Sequence, residues 1–270
     1  MAKVLIGLDA GHGGSSSGTY SVNSTKDGLF EEHYALDLVK RINERLLFNG
    51  FKTFLTRTTD TNPGNVSQRA KMCVDAGCKF ALSVHFNGFG NESANGCEVF
   101  VPYEEKAAGI EAGFYKYFGE FFKRRAPFAR SNSYFDRNDT FDKKLNVSTR
   151  KFEAYDDQKD YFGFVRTCWE KGVSADLLEV CFLTNPQDFK TYNEKTDEIA
   201  DAIARSIVEG FGEKYVPMNK KSEEAPEETV PEEKALYRVQ VGAFSVKENA
   251  EAMLDSLKAA GFDGFIVGGK

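Results

Sequence analysis

The chain has 270 residues, 41% of them hydrophobic, and a formal net charge of −6, which is enough length for one large domain and one small one. The acidic balance excludes a general nucleic-acid binder, which needs a basic surface, and no apolar run reaches the roughly 18 residues of a membrane-spanning helix. Met1-Ala2-Lys3 leads straight into a strand pattern, without the apolar core and small-residue cleavage site of a signal peptide, so synthesis in the cytoplasm is the expectation. Five cysteines, Cys73, Cys78, Cys97, Cys168 and Cys181, form no close Cys-x-x-Cys pair, which suits buried, reduced thiols. A structural zinc site from Cys73 and Cys78 would lack a second ligand pair at zinc-finger spacing.

Strand and helix patterns alternate as far as residue 216. Residues 3–9 read as a buried strand. Leu36, Val39, Ile42, Leu46 and Leu47 recur at helical spacing, and Asn49-Gly50 stops that helix. Phe51 to Arg57 read as a second strand and Val66 to Ala76 as a helix. Phe80 to His85 make a third strand, and Cys97 to Val101 a fourth. Ala107 to Phe122 read as an aromatic-rich helix, Asp176 to Leu183 as a late strand, and Ile199 to Tyr215 as a closing helix. Residues 126–160 are polar and irregular in pattern, a lid beside a cleft or a solvated insertion. The expected class is α/β: a mixed, mostly parallel sheet with helices on both faces, with ligand residues at strand ends.

From Pro217 to Ala235 the composition turns to Pro, Glu, Lys and Ser without apolar periodicity, which reads as a linker. Leu236 to Phe244 then form a strand pattern. A helical run with Ala250, Met253, Leu254 and Leu257 follows, and Gly264 to Val267 form a second strand. The expected organisation is a catalytic domain over 1–216, a linker over 217–235 and a β-α-β unit over 236–270.

The chemistry concentrates in few residues. The chain has only three histidines. His12 follows the first apolar run within Gly11-His12-Gly13-Gly14, and His85 ends the run Phe80 to Val84. The acidic pair Glu31-Glu32 lies between them, just ahead of a helix. Two imidazoles and one carboxylate are the ligand set of an open catalytic zinc site. Either acid could equally be a first-turn helix residue favoured by the dipole. A phosphate-binding reading of the glycine loop fails, because no Gly-Lys-Ser/Thr follows. Glu179 sits inside Leu177 to Leu183, where burying an acid is costly without a role or a partner; such burial raises a carboxyl pKa toward the range useful for proton transfer. His33 reads as an exposed helical residue, and Asn87 as a ligand-binding amide or a strand cap. A serine hydrolase built on Ser15, Ser16 or Ser17 with His12 lacks a Gly-x-Ser-x-Gly elbow. A cysteine amidase pairing His85 with Cys97 lacks a local signature.

Four motifs in order resemble the zinc-dependent N-acetylmuramoyl-L-alanine amidases of the amidase-3 family. They are Gly11-His12-Gly13-Gly14, Glu31 with Leu36 five residues on, Ser83-Val84-His85-Phe86-Asn87, and Glu179 followed by Cys181-Phe182-Leu183-Thr184-Asn185. The resemblance covers roughly residues 2–216 and implies Zn²⁺ held by His12, Glu31 and His85, the spacing to Leu36 favouring Glu31 over Glu32. It further implies Glu179 as the catalytic acid/base, taking a proton from water and passing it to the leaving L-alanine amine. Arg57 and Arg69 resemble recurring structural arginines of that fold, and Trp169 reads as a packing residue. Tyr237 to Phe244 resemble the repeat of the SPOR peptidoglycan-binding domains, of which about half is expected over 236–270. The implied function is hydrolysis of the bond between N-acetylmuramic acid and L-alanine in peptidoglycan. A phage endolysin released through a holin is the expected setting; the alternatives are a bacterial autolysin or a non-enzymatic wall-binding protein. A β-α-β unit of this size has open strand edges, so a homodimer pairing two tails through 236–270 is expected.

Overall fold

A computed structural model describes residues 4–22, 28–102, 109–125, 143–146, 151–154, 162–218, 247–259 and 266. The chain divides into two compact units, Met1–Glu224 and Ala225–Lys270.

The first unit is built on a sheet of five strands, β1 (Leu5–Ala10), β2 (Lys52–Leu55), β3 (Phe80–Asn87), β4 (Glu98–Phe100) and β7 (Ser174–Phe182), in the order β2-β1-β3-β7-β4. All neighbours run parallel except β4, which lies antiparallel on β7. The helices are α1 (Glu31–Phe48), α2 (Val66–Asp75), α3 (Gly109–Phe118), α4 (Gly163–Glu170), α5 (Pro186–Glu194) and α6 (Thr196–Gly210). Alternation along the strands supplies both faces of the sheet. Ile6, Leu8, Leu82, Val84, Leu178 and Val180 pack with Leu38, Val39 and Ile42 of α1 and Ile199, Ile203 and Ile207 of α6. On the other face Ala81 and Ala175 pack with Ala70 and Cys73 of α2 and with Phe164 and Cys168 of α4. This is the expected mixed, mostly parallel α/β sheet, covered on both sides.

The strand order makes a crevice. From β1 the chain crosses to β2 on one side, and from β2 it crosses to β3 on the other side of β1. The connections after β1 and β3 therefore leave in opposite directions, which opens the sheet at the carboxyl ends of these two strands. His12 follows β1 and His85 lies near the end of β3.

Where the patterns were short, the structure departs from the sequence reading. Residues 126–160, expected to be irregular, contain β5 (Lys143–Asn146) and β6 (Lys151–Ala154), paired antiparallel. Their sequences, Lys-Lys-Leu-Asn and Lys-Phe-Glu-Ala, are too polar to stand out from the surrounding segment. Helices α4 and α5 were also not expected, being only 8 and 9 residues long. For α5 a signal existed. The Asn185 side chain accepts from the N–H groups of Gln187 and Asp188 at 3.0 and 2.9 Å, with Pro186 in the first turn, and Asn-Pro is a helix start. In the second unit the expected helix is α7 (Lys247–Ala259). Apart from Ile266, the strands expected at 236–244 and 264–267 lie outside the described residues. Among the described residues no helix is long and apolar enough to cross a membrane.

The sheet is tied near its open end by a fully buried carboxylate. Asp9 of β1 accepts from Thr56 Oγ1 beyond β2 and Ser83 Oγ of β3, both at 2.6 Å, and Arg69 Nη2 lies 3.4 Å away. Strands β1 and β3, the residue that follows β2, and α2 thus meet on one side chain, and Arg69 is itself only 3% exposed. Asp9→Ala should leave that guanidinium buried without its counter-charge. The expected loss is about 3–5 kcal/mol, read as a lower midpoint of urea unfolding at unchanged slope; an unchanged midpoint would show that the pair does not hold the sheet.

Candidate active site

The loop after β1 is shaped by two buried arginines. Arg57 Nε donates to the carbonyl of Ala10 at 3.0 Å, and its Nη2 donates to those of Gly11 and Glu32 at 2.8 and 2.7 Å. Arg69 Nη1 donates to the carbonyls of Ala10 and His12 at 3.2 and 3.0 Å. Between these anchors His12 adopts φ 60°, the only non-glycine positive φ among the described residues. That conformation is costly for a residue with a Cβ and persists only where the surroundings impose it. It is further fixed by the reciprocal backbone hydrogen bonds of Gly13 and Ser16, at 2.8 and 3.1 Å.

The result is a convergence of three side chains. Glu31 Oε1 lies 3.2 Å from His12 Nε2 and 2.9 Å from His85 Nδ1. The two rings stand edge to face with centroids 4.9 Å apart. The remaining contacts orient each group. His12 Nδ1 is 3.1 Å from Ser16 Oγ, so an N–H on Nδ1 leaves Nε2 as a lone-pair donor. Glu31 accepts from Phe86 N–H at 3.0 Å on Oε1 and from Thr19 N–H at 2.9 Å on Oε2. Burial pushes the Glu31 carboxyl up, but the hydrogen bonds and charge of His12 and His85 outweigh it and hold it well below the usual carboxylate range. Two glycines make room. A Cβ on Gly11 would stand 2.5 Å from the His85 ring, and Gly18, at φ +75°, faces the Glu31 carboxylate.

The donor set fits a zinc ion. Bonds of about 2.0–2.2 Å in a tetrahedron place ligand atoms roughly 3.3–3.6 Å apart. Here the three ligand atoms all lie within 4.8 Å of one another, the one such group of three among the described residues. Glu32 is not part of it. Neither is His33, whose Nδ1 accepts from Phe30 N–H at 3.3 Å and sits 3.9 Å from Glu32. A cavity of about 430 Å³ beside His33, lined by Tyr34, Asp37 and Arg41, shares no residue with the group. Cys73 and Cys78 are both buried and form no group of three with another ligand.

Glu179 stands next to the cluster. In the register of β3 and β7 it pairs with His85, and both are half-buried where the flanking strand positions are closed, with Glu179 Oε2 shut off from solvent. Asn87, expected as a ligand-binding amide or a cap, donates instead to Glu98 Oε2 at 3.3 Å. Trp169 is half-buried on α4.

Residues 6–209 match the profile of a family described as N-acetylmuramoyl-L-alanine amidase. The chain belongs to that family. Residues 218–268 match the SPOR domain, a span that begins inside the segment read as a linker. Over 234 residues the amidase is 26% identical to the N-acetylmuramoyl-L-alanine amidase AmiA of Salmonella typhimurium, covering 78% of this chain and 77% of that protein. It is 24% identical to the sporulation-specific N-acetylmuramoyl-L-alanine amidase of Bacillus subtilis, over 99% of this chain and 85% of that one. The catalytic domain of CwlV from Bacillus (Paenibacillus) polymyxa var. colistinus shares the fold, with TM-score 0.55 and 22% identity over 78% of this chain and 99% of that one. AmiC2 of Nostoc punctiforme does so with TM-score 0.54 and 21% identity, over 77% and 97%.

The protein is thus an enzyme of peptidoglycan amide hydrolysis, which removes the purely wall-binding alternative. The amidase geometry also disposes of the other nucleophiles. Ser16 does meet His12, but the carboxylate oxygen beyond His12 is shared with a second imidazole, which has no part in a serine triad. Burial pushes the thiols of Cys97 and Cys168 up to about 12, which leaves almost no thiolate near neutrality. The sequence reading did not identify Ser16 and Thr19 as orienting groups, because nothing in a polar loop marks which hydroxyl or N–H turns inward. Gly11→Ala should push the His85 ring off the cluster. We expect wall hydrolysis to fall about 10²-fold with the thermal midpoint nearly kept; full activity would show that the ring tolerates displacement.

Proposed function

We propose that the amidase is zinc-dependent, that His12 Nε2, Glu31 and His85 Nδ1 hold the ion, and that Glu179 moves the proton. The observation that carries this reading is the convergence of three ligand atoms within 4.8 Å directly beside Glu179 in strand register. Bound there, zinc would supply Lewis acidity, polarising a carbonyl and making water a stronger acid. The rest falls to the chain. Ser16 fixes the tautomer of His12, and the N–H groups of Thr19 and Phe86 aim the Glu31 carboxylate. Glu179, half-buried beside His85, takes a proton from the attacking water and returns it to the L-alanine amine as the amide breaks.

For the biological setting we favour bacterial wall remodelling over phage lysis. The support is the bacterial origin of the curated relatives, one of them sporulation-specific and aligned along nearly the whole chain. A holin gene adjacent to this one would reverse that choice. The SPOR domain is read as a tether to the same polymer, which raises local substrate concentration without adding a catalytic contact. The comparisons lend no support to pairing of two tails through residues 236–270.

His12→Ala, Glu31→Ala and His85→Ala should each lower bound zinc, measured by atomic emission, and abolish release of L-alanine amines from purified walls. Full zinc in Glu31→Ala with loss in Glu32→Ala would move the ligand by one residue. Glu179→Gln keeps the shape and removes the proton acceptor. Zinc should stay bound while the rate drops by about 10²–10⁴, and near wild-type turnover would remove Glu179 from proton transfer.

A further inference from the structure

The row across the sheet does not stop at Glu179. Register places Glu98 of β4 opposite Glu179, on the side away from His85. His85, Glu179 and Glu98 therefore stand in one line on one face of the sheet. Two carboxylates directly opposite on antiparallel strands repel each other, and burial sharpens the repulsion. Glu98 is only 2% exposed.

The neighbouring chain is arranged around Glu98. Arg125 Nε donates to Glu98 Oε1 at 2.8 Å, and Asn87 Nδ2 donates to Oε2 at 3.3 Å. A register shift between His85 and Asn87 against β7 brings Asn87 opposite Phe182, the kind of bulge that re-aims a side chain. Arg125 is itself pinned. Its guanidinium lies 4.7 Å from the centroid of the Phe182 ring, and its N–H donates to the carbonyl of Cys97 at 3.0 Å. Asp188 accepts from the N–H groups of Gly96 and Phe182 at 2.7 and 3.1 Å, which ties the start of β4 to the end of β7. All of these segments meet beside Glu179.

We propose that Glu98, anchored by Arg125 and Asn87, is a positioning residue for Glu179. Its fixed negative charge closes the β4 side to a second carboxylate and turns Glu179 toward His85, where the substrate amide is expected. This inference rests on the reading of Glu179 as the proton-transfer group. A salt bridge that only held β4 on the sheet would need no particular register with Glu179.

Steady-state kinetics of the zinc-loaded full chain on a soluble muropeptide decide the matter. Glu98→Gln should lower kcat by about 10- to 100-fold with KM and zinc content unchanged. Arg125→Gln should act in the same direction, and Arg125→Lys should restore most of the rate. In a Glu179→Gln background Glu98→Gln should cost nothing further, because the group that it positions is gone. Wild-type kcat in Glu98→Gln, or an equal loss in both backgrounds, overturns the proposal. If Glu98→Gln fails to fold, Arg125→Gln in the two backgrounds gives the same decision, since Arg125 lies nearer the surface with its side chain 19% exposed. An active Glu179→Gln sinks the proton-transfer reading itself; a crippled Glu179→Gln beside an unimpaired Glu98→Gln sinks only the positioning role.

Discussion

The site depends on two arginines buried against backbone carbonyls. Arg57 and Arg69 between them take the carbonyls of Ala10, Gly11, His12, Thr59 and Glu32. A guanidinium presents five donors in a fixed plane, so each can join segments distant in sequence at one point. Arg57 links the end of β1 to the first turn of α1, and hence the His12 loop to Glu31. Arg69 takes the carbonyl of His12 itself, and with the Gly13–Ser16 backbone pair it keeps His12 at positive φ. Asp9 supplies the counter-charge at Arg69 while also accepting from Thr56 and Ser83. A buried charge network of this kind is expensive to assemble and more expensive to break. That asymmetry suits a scaffold whose role is geometric.

Exposure divides the site into a fixed and a working part. Glu31 is nearly closed off and fully occupied by two imidazoles and two backbone N–H groups. It has no freedom to serve as a proton carrier. Glu179 is one strand further on and half-buried, with Oε2 closed to solvent but the side chain as a whole less enclosed than Glu31. Two glutamates in one crevice are thereby given different surroundings, one a fixed acceptor and the other the group proposed for proton transfer. The strand order makes this division available, because the crevice opens where the connections from β1 and β3 diverge.

Much of this was legible in the residues alone. Long elements such as β1, β3, β7 and α1 announced themselves, since alternation and helical spacing need several repeats to stand out. His12, Glu31, His85 and Glu179 were legible because their residue types at strand ends and helix starts have few cheap alternatives. β5, β6, α4 and α5 were not: the two strands are mostly polar and the two helices span little more than two turns, so their patterns fade into loop composition.

The sequence by itself determined the class of fold and the order of the main strands along the chain, and it singled out the four acidic and imidazole groups proposed for the site. It left Glu31 and Glu32 separable only by likeness to a family, because adjacent acids in a first helical turn carry the same local signal. Tertiary structure decided between them: helix geometry turns one toward both imidazoles and the other away. It also decided which strands lie side by side, and so that Glu98 faces Glu179 and that Asn87 serves Glu98. The Glu98–Glu179 pairing joins residues far apart in sequence, and no local pattern of residue types encodes which strand becomes whose neighbour.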